Sequence, residues 1–139
     1  IMMTRPGDLD PSIPLFMQRK LGLTANKVDD IFNQQSGIYG LTGCSDMLTF
    51  LKKVKQRRKK EQLAFESFIH RLKKYIGAYY AILGGVDAII FTGTVGAGLS
   101  ITRQAAVKGL PFLQHVKILA ISTNEELMIA REVKKLIKK

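Results

Sequence analysis

The stretch Val86–Gly98, VDAIIFTGTVGAG, constrains this chain more than any other. A short apolar run, Val86 to Phe91, breaks at Thr92-Gly93 into a glycine-bearing turn, and a helix-compatible segment follows from about Leu99. The order predicts strand, tight turn, helix. A second apolar run, Val116–Ile121, comes after that helix. Two strands joined by a helical crossover pair in parallel, which places the chain in the α/β class. The glycines of the turn have two readings. They supply positive φ for a structural turn, or they let backbone N–H groups and a helix N-terminus face a phosphate. Spacing alone leaves both open.

The 139 residues suffice for one domain with a core, and 46% of them are hydrophobic, which argues against disorder. No apolar run is long enough to span a bilayer. The opening IMMTRPGDLDP has neither the charged nor the apolar region of a secretory signal, so none is expected. Cys44 is the single cysteine. It cannot form an intramolecular disulfide, and a reducing, cytoplasmic setting is the expectation. It reads as a small buried residue rather than a nucleophile.

The net charge is +11, from 22 Lys and Arg against 11 Asp and Glu. Lys52, Lys53, Lys55, Arg57, Arg58, Lys59 and Lys60 fall within nine residues, and Lys134, Lys135, Lys138 and Lys139 end the chain. Such a run fits a solvated helix or loop, or a surface for nucleic acid. No aromatic residue interrupts it, which argues against a base-stacking platform.

Along the chain, Ile1-Met2-Met3 reads as the tail of a strand and Arg5–Asp8 as a turn. Asp10 caps a helix with Pro11 at its first position, and Gly22 closes it. Thr24 caps the next helix, whose Val28, Ile31 and Phe32 share a face. Gly37, Gly40 and Gly43 mark Ser36–Gly43 as a connector. Ser45 or Asp46 caps a helix carrying Met47, Phe50, Leu51 and Val54. Glu61–Leu83 keeps a helical apolar period until Gly84-Gly85 stops it. Thr123 or Asn124 caps a last helix, Glu125–Lys138, and Thr123 and Glu126 have capping-box spacing.

Parallel pairing brings the ends of both strands to one edge of the sheet, where open α/β sheets bind ligands. The turn Thr92–Gly98 then lies beside Ser122–Glu125. Backbone donors next to Asn124, Glu125 and Glu126 suggest a nucleotide with Mg²⁺, a cation that prefers oxygen ligands. The same acids are explained equally by the dipole at a helix start. Arg5, in its Pro/Gly turn, can clamp a phosphoryl group or pair locally with Asp8 or Asp10. His70 and His115 lack catalytic partners in the sequence, and no zinc-ligand spacing or Ser/His/Asp arrangement is present.

The segments MTRPGDLDPSIPLFMQRKLGL, HRLKKYIGAYYAILGGVDAIIFTG and STNEELMIAREV resemble the C-terminal half of the acetate kinase family, which includes propionate kinases. The likeness runs in order from Met3 to about Ile137. It implies a ribonuclease-H-like domain of the sugar kinase/actin superfamily, with a mixed sheet and several helices. The implied reaction is reversible transfer of the ATP γ-phosphoryl group to acetate or propionate, giving acyl phosphate and ADP with Mg²⁺. The resemblance makes Arg5 a transition-state stabiliser and Glu125 the Mg²⁺-associated carboxylate. The family's SDMR turn, which contacts adenosine, corresponds to Ser45-Asp46-Met47-Leu48. Its GGIGEN nucleotide loop corresponds to Gly93-Thr94-Val95-Gly96-Ala97-Gly98. Family members dimerise through this half.

The departures from that pattern are local. Arg of SDMR is Leu48 here. In the second motif Gly, Glu and Asn are Thr94, Ala97 and Gly98. One side-chain donor to the nucleotide and two polar side chains of the loop are thereby lost while backbone donors remain, which leaves a non-catalytic remnant as the alternative. The family's N-terminal domain, with its metal-side Asn, substrate Arg, catalytic Asp, transition-state His and phosphate loop, is absent from these residues. In-line transfer needs both reactants held between two domains, so the chain by itself is expected not to turn over.

Overall fold

A computed structural model describes residues 1–137. The chain divides into two compact units, Ile1–Ile76 and Gly77–Lys139. In the first, α1 (Ser12–Leu21) starts one residue later than expected, with Pro11 rather than Asp10 at the N-cap position, and α2 (Ala25–Gln34) is capped by Thr24 as its sequence predicts. The Asp10 carboxylate accepts from Ser12 N at 2.8 Å and from Ser12 Oγ at 2.6 Å, which fixes the entry to α1 through Pro11. Gly22 ends α1 in the left-handed region at φ 65°. Thr24 Oγ1 accepts from Lys27 N at 3.2 Å and so caps α2.

Two expectations are corrected here. Ile1–Met3 is not in a strand, and Ser36–Gly43 is not an open connector: it holds a six-residue helix, α3 (Gly37–Thr42). The two corrections share a cause. The N-terminal segment lies against the start of α3. Ser36 N donates to Thr4 O at 2.9 Å, Ile38 N to Met2 O at 3.0 Å and Tyr39 N to Met3 O at 2.8 Å. These bonds satisfy α3's first amides, which a helix leaves open. A Cβ at Gly37 would come within 2.3 Å of Met2 O, so glycine is required for the approach as well as for the φ of 62°.

Asp46 caps α4 (Met47–Lys55) by accepting from Thr49 N at 2.8 Å. The long helix α5 (Lys59–Leu83) runs from this unit into the next, ending at Gly84 and Gly85, both at positive φ. The first unit's core is Val28, Ile38, Cys44, Phe50, Leu51, Ala64 and Ile69. Phe50 and Phe65 pack as a tilted pair with centroids 6.4 Å apart. The basic run spans the α4–α5 corner. Lys52, Lys55 and Arg57–Lys60 are exposed, while the half-buried Lys53 turns inward to Cys44 Sγ at 3.2 Å and buried Glu61 at 3.9 Å.

The second unit contains β1 (Ala88–Phe91), α6 (Gly93–Gly96), α7 (Ser100–Val107), a 3-10 turn at Pro111–Leu113, β2 (Lys117–Ala120) and α8 (Glu125–Ile137). The strands pair in parallel with Ala88 opposite Lys117 and Phe91 opposite Ala120. Among the described residues this is a two-stranded sheet. Phe91, Thr102, Ala106 and Leu113 are buried, and Tyr80 and Phe112 pack as a tilted pair with centroids 4.8 Å apart. The helix α8 has no buried residue among those described, and Lys138 and Lys139 lie outside them.

Candidate functional site

The β1–β2 register decides what meets at the carboxyl edge of the second unit. Phe91 and Ala120 are partners, and Ile121 N donates to Phe91 O at 3.0 Å. The segments that follow, Thr92–Gly98 and Ser122–Glu125, therefore leave the sheet side by side. The first is tighter than an open glycine loop. Gly93–Gly96 is one helical turn, entered at Gly93 with φ 68° and closed by Ala97 N on Gly93 O at 2.9 Å. The amides at the start of such a turn have no helical partner. A Cβ at Gly98 would lie 2.5 Å from Thr94 O, so the backbone as built accepts only glycine there.

One residue that sequence reading missed holds this turn. Arg103, on α7, donates through Nη1 to Gly96 O at 2.7 Å and also to Ala97 O. An arginine seven residues beyond a glycine turn carries no recognisable spacing signal, because the contact depends on how α7 folds back. On the neighbouring segment, Asn124 Oδ1 accepts from Leu127 N at 3.0 Å, so Asn124 rather than Thr123 supplies the cap. Glu125 and Glu126 are exposed at the first turn of α8. They have no ion-pair partner among the described residues.

No group of three or more His, Cys, Asp or Glu side chains among the described residues could hold a metal ion. That donor set does not make an all-protein cage. It does fit Mg²⁺ held by one carboxylate and by nucleotide phosphates, the usual manner for this reluctantly dehydrated cation. His70 and His115 are both exposed.

In the first unit, Arg5 lies in the bend between Met3 and the Gly7 turn. Asp8 and Asp10 do not pair with it. Asp10 is taken by Ser12. Asp8 is held by α5: Tyr75 Oη donates to its Oδ1 and Arg71 Nη2 forms an ion pair with its Oδ2. The Tyr75 hydrogen bond first, and then the Arg71 charge, hold the Asp8 carboxyl below its ordinary value. Arg71 and Tyr75 are thus the second pair missed in the sequence, some sixty residues from their partner. The Arg5 side chain is exposed and free of hydrogen bonds or ion pairs among the described residues. A cavity of about 540 Å³ opens between this bend and α5, lined in part by Pro6, Asp8, Glu66, His70 and Arg71.

Asp46, Met47 and Leu48 start α4. The Asp46 carboxylate is engaged by the Thr49 amide, which lowers its pKa, and Leu48 is 68% exposed with no polar group to offer.

The carboxyl edge of a parallel α/β sheet is where proteins of this class bind ligands. The comparisons with known proteins narrow the class. A sequence profile of the Acetokinase family matches residues 1–114, and the chain belongs to that family. It is 42% identical to an acetate kinase of Alkaliphilus metalliredigens, over 99% of this chain and 40% of that protein. Its fold matches the crystal structure of Entamoeba histolytica acetate kinase with a TM-score of 0.89 and 30% identity, over 100% of this chain and 43% of that one. A propionate kinase of Francisella tularensis matches with a TM-score of 0.86 and 29% identity, over 95% of this chain and 39% of that one. The chain thus spans about 40% of the length of the relatives it matches. No helix among the described residues is long and apolar enough to cross a membrane.

Proposed function

We propose that this chain is the nucleotide-binding part of a short-chain carboxylate kinase, which transfers the ATP γ-phosphoryl group reversibly to acetate or propionate. The observation that supports the reading is the in-register parallel pairing of β1 and β2, from which the segments carrying Gly93–Gly98 and Glu125 leave at the same edge of the sheet. The free amides of the turn suit phosphate oxygens. Glu125 suits Mg²⁺, which when bound screens the phosphate charge and orients it. Arg5, with no competing anion in its own unit, suits the charge that spreads over the transferring phosphoryl group. Asp46, Met47 and Leu48 take the adenosine side in this reading. The chemistry needs a second domain to hold the carboxylate in line, so the 139-residue chain alone is inactive.

The test is a coupled assay of acetyl phosphate formation by the complete kinase containing this chain. Arg5→Ala is expected to lower kcat by about 100-fold or more with an unchanged melting temperature. Acetyl phosphate formation that is absent in the unsubstituted kinase, or unchanged in the variant, refutes the assignment. A second reading is favoured by Leu48, Ala97 and Gly98, which offer no polar side chain: a remnant that keeps the fold without nucleotide affinity. Titration calorimetry with Mg-ATP separates the two, because a remnant gives no binding heat at millimolar nucleotide. Nucleic acid remains the weaker alternative for the exposed cations of the α4–α5 corner, and a salt-independent null in RNA binding removes it.

A further inference from the structure

The turn at Gly93–Gly98 has Thr94 as its one polar side chain. Whatever it recognises, it recognises through its backbone, so the exact placing of that backbone sets affinity. Among the described residues one side chain is recorded as hydrogen-bonded to it, the half-buried Arg103. We infer that Arg103 is the positioning residue of this turn: it pins the Gly96 and Ala97 carbonyls and leaves an uncompensated positive charge behind the amides that face an anion. The inference rests on the nucleotide reading of the turn.

Three features support it. The carbonyls at the end of a helical turn carry partial negative charge, and left free they would repel a phosphate nearby. A guanidinium bonded to both cancels that repulsion with charge-assisted hydrogen bonds, which are stronger than neutral ones. No carboxylate pairs with Arg103 among the described residues, so its charge is not neutralised locally. The donation is also geometric: one Nη1 reaches two successive carbonyls, which a lysine ammonium reproduces only in part.

The experiment compares the unsubstituted chain with Arg103→Ala and Arg103→Lys. Mg-ATP affinity is measured by calorimetry, folding by thermal melting, and the Ala97 amide by hydrogen exchange. Ala97 N is bonded to Gly93 O at 2.9 Å and reports directly on closure of the turn. The expected result is a loss of about tenfold or more in Mg-ATP affinity for Arg103→Ala, with faster Ala97 exchange. Partial recovery is expected in Arg103→Lys, with melting temperatures that stay close. A variant that loses only thermal stability, with affinity unchanged relative to its folded fraction, reduces Arg103 to a structural contact and overturns the inference. Should the unsubstituted chain bind no Mg-ATP, the nucleotide reading itself fails. The exchange data then judge the positioning alone, and unchanged Ala97 protection in Arg103→Ala overturns it.

Discussion

Single atoms set the tolerance of this chain at its tightest backbone approach. Gly37 sits at φ 62°, and a Cβ there meets Met2 O at 2.3 Å and Arg5 O at 2.7 Å. Gly37→Ala therefore combines left-handed strain with a backbone clash. It is expected to cost about 2–3 kcal/mol in denaturant unfolding and to loosen the bend that carries Arg5. Asp8 supplies a pH-dependent tie in the same region. Its folded pKa lies below the ordinary value of 3.8, first through the Tyr75 hydrogen bond. A depressed carboxylate contributes stability that is fully present above its unfolded pKa and lost as pH falls through the folded one. Asp8→Asn should therefore lower the melting temperature at neutral pH, and the gap should close below about pH 4. Melts across that range check the sign.

Helix ends carry the energetics at the next scale. Asp46 caps α4 and begins the segment proposed to take the adenosine side. Asp46→Ala is expected to cost about 1 kcal/mol, the usual value of an N-cap, and Asp46→Ser or Asp46→Asn to restore most of it in thermal melts. The caps at Thr24 and Asp46, the stops at Gly22 and Gly84, and the parallel order of β1 and β2 were legible in the sequence, because each depends on neighbours a few residues away. The α3 helix was not legible. Glycines at 37, 40 and 43 look like a loop until the N-terminal segment is placed against them. The Asp8 ties to Arg71 and Tyr75, and the Arg103 contact with the turn, were hidden for the same reason. Candidate residues could be read from the motifs, while the groups that hold them could not.

At the scale of the molecule, several large apolar side chains of α5 and α8 are exposed. Tyr79, Ile82 and Leu83 on α5 are 60%, 77% and 66% exposed, and Leu136 and Ile137 on α8 are 75% and 79% exposed. Contiguous exposed apolar surface marks sites of association. We propose that the chain pairs as a homodimer through this exposed apolar surface. Light scattering is expected to give twice the monomer mass at micromolar concentration, with Ile82→Glu shifting the mass toward monomer. A monomer at every concentration refutes it. The family membership and the 40% share of the relatives' length belong to this scale too.

By itself the sequence determined the α/β class, the helix caps at Thr24 and Asp46, the stops at Gly22 and Gly84, and the motif positions Arg5, Asp46, Gly93 and Glu125, because capping, periodicity and strand order are short-range chemistry. The tertiary structure decided which of those side chains are free. Asp8 is taken by α5 and Asp10 by Ser12, so Arg5 is left without a partner among the described residues, and Arg103 is drawn onto the turn at Gly93–Gly98. Most of those ties are set by where the chain returns, the one thing that spacing along it does not encode.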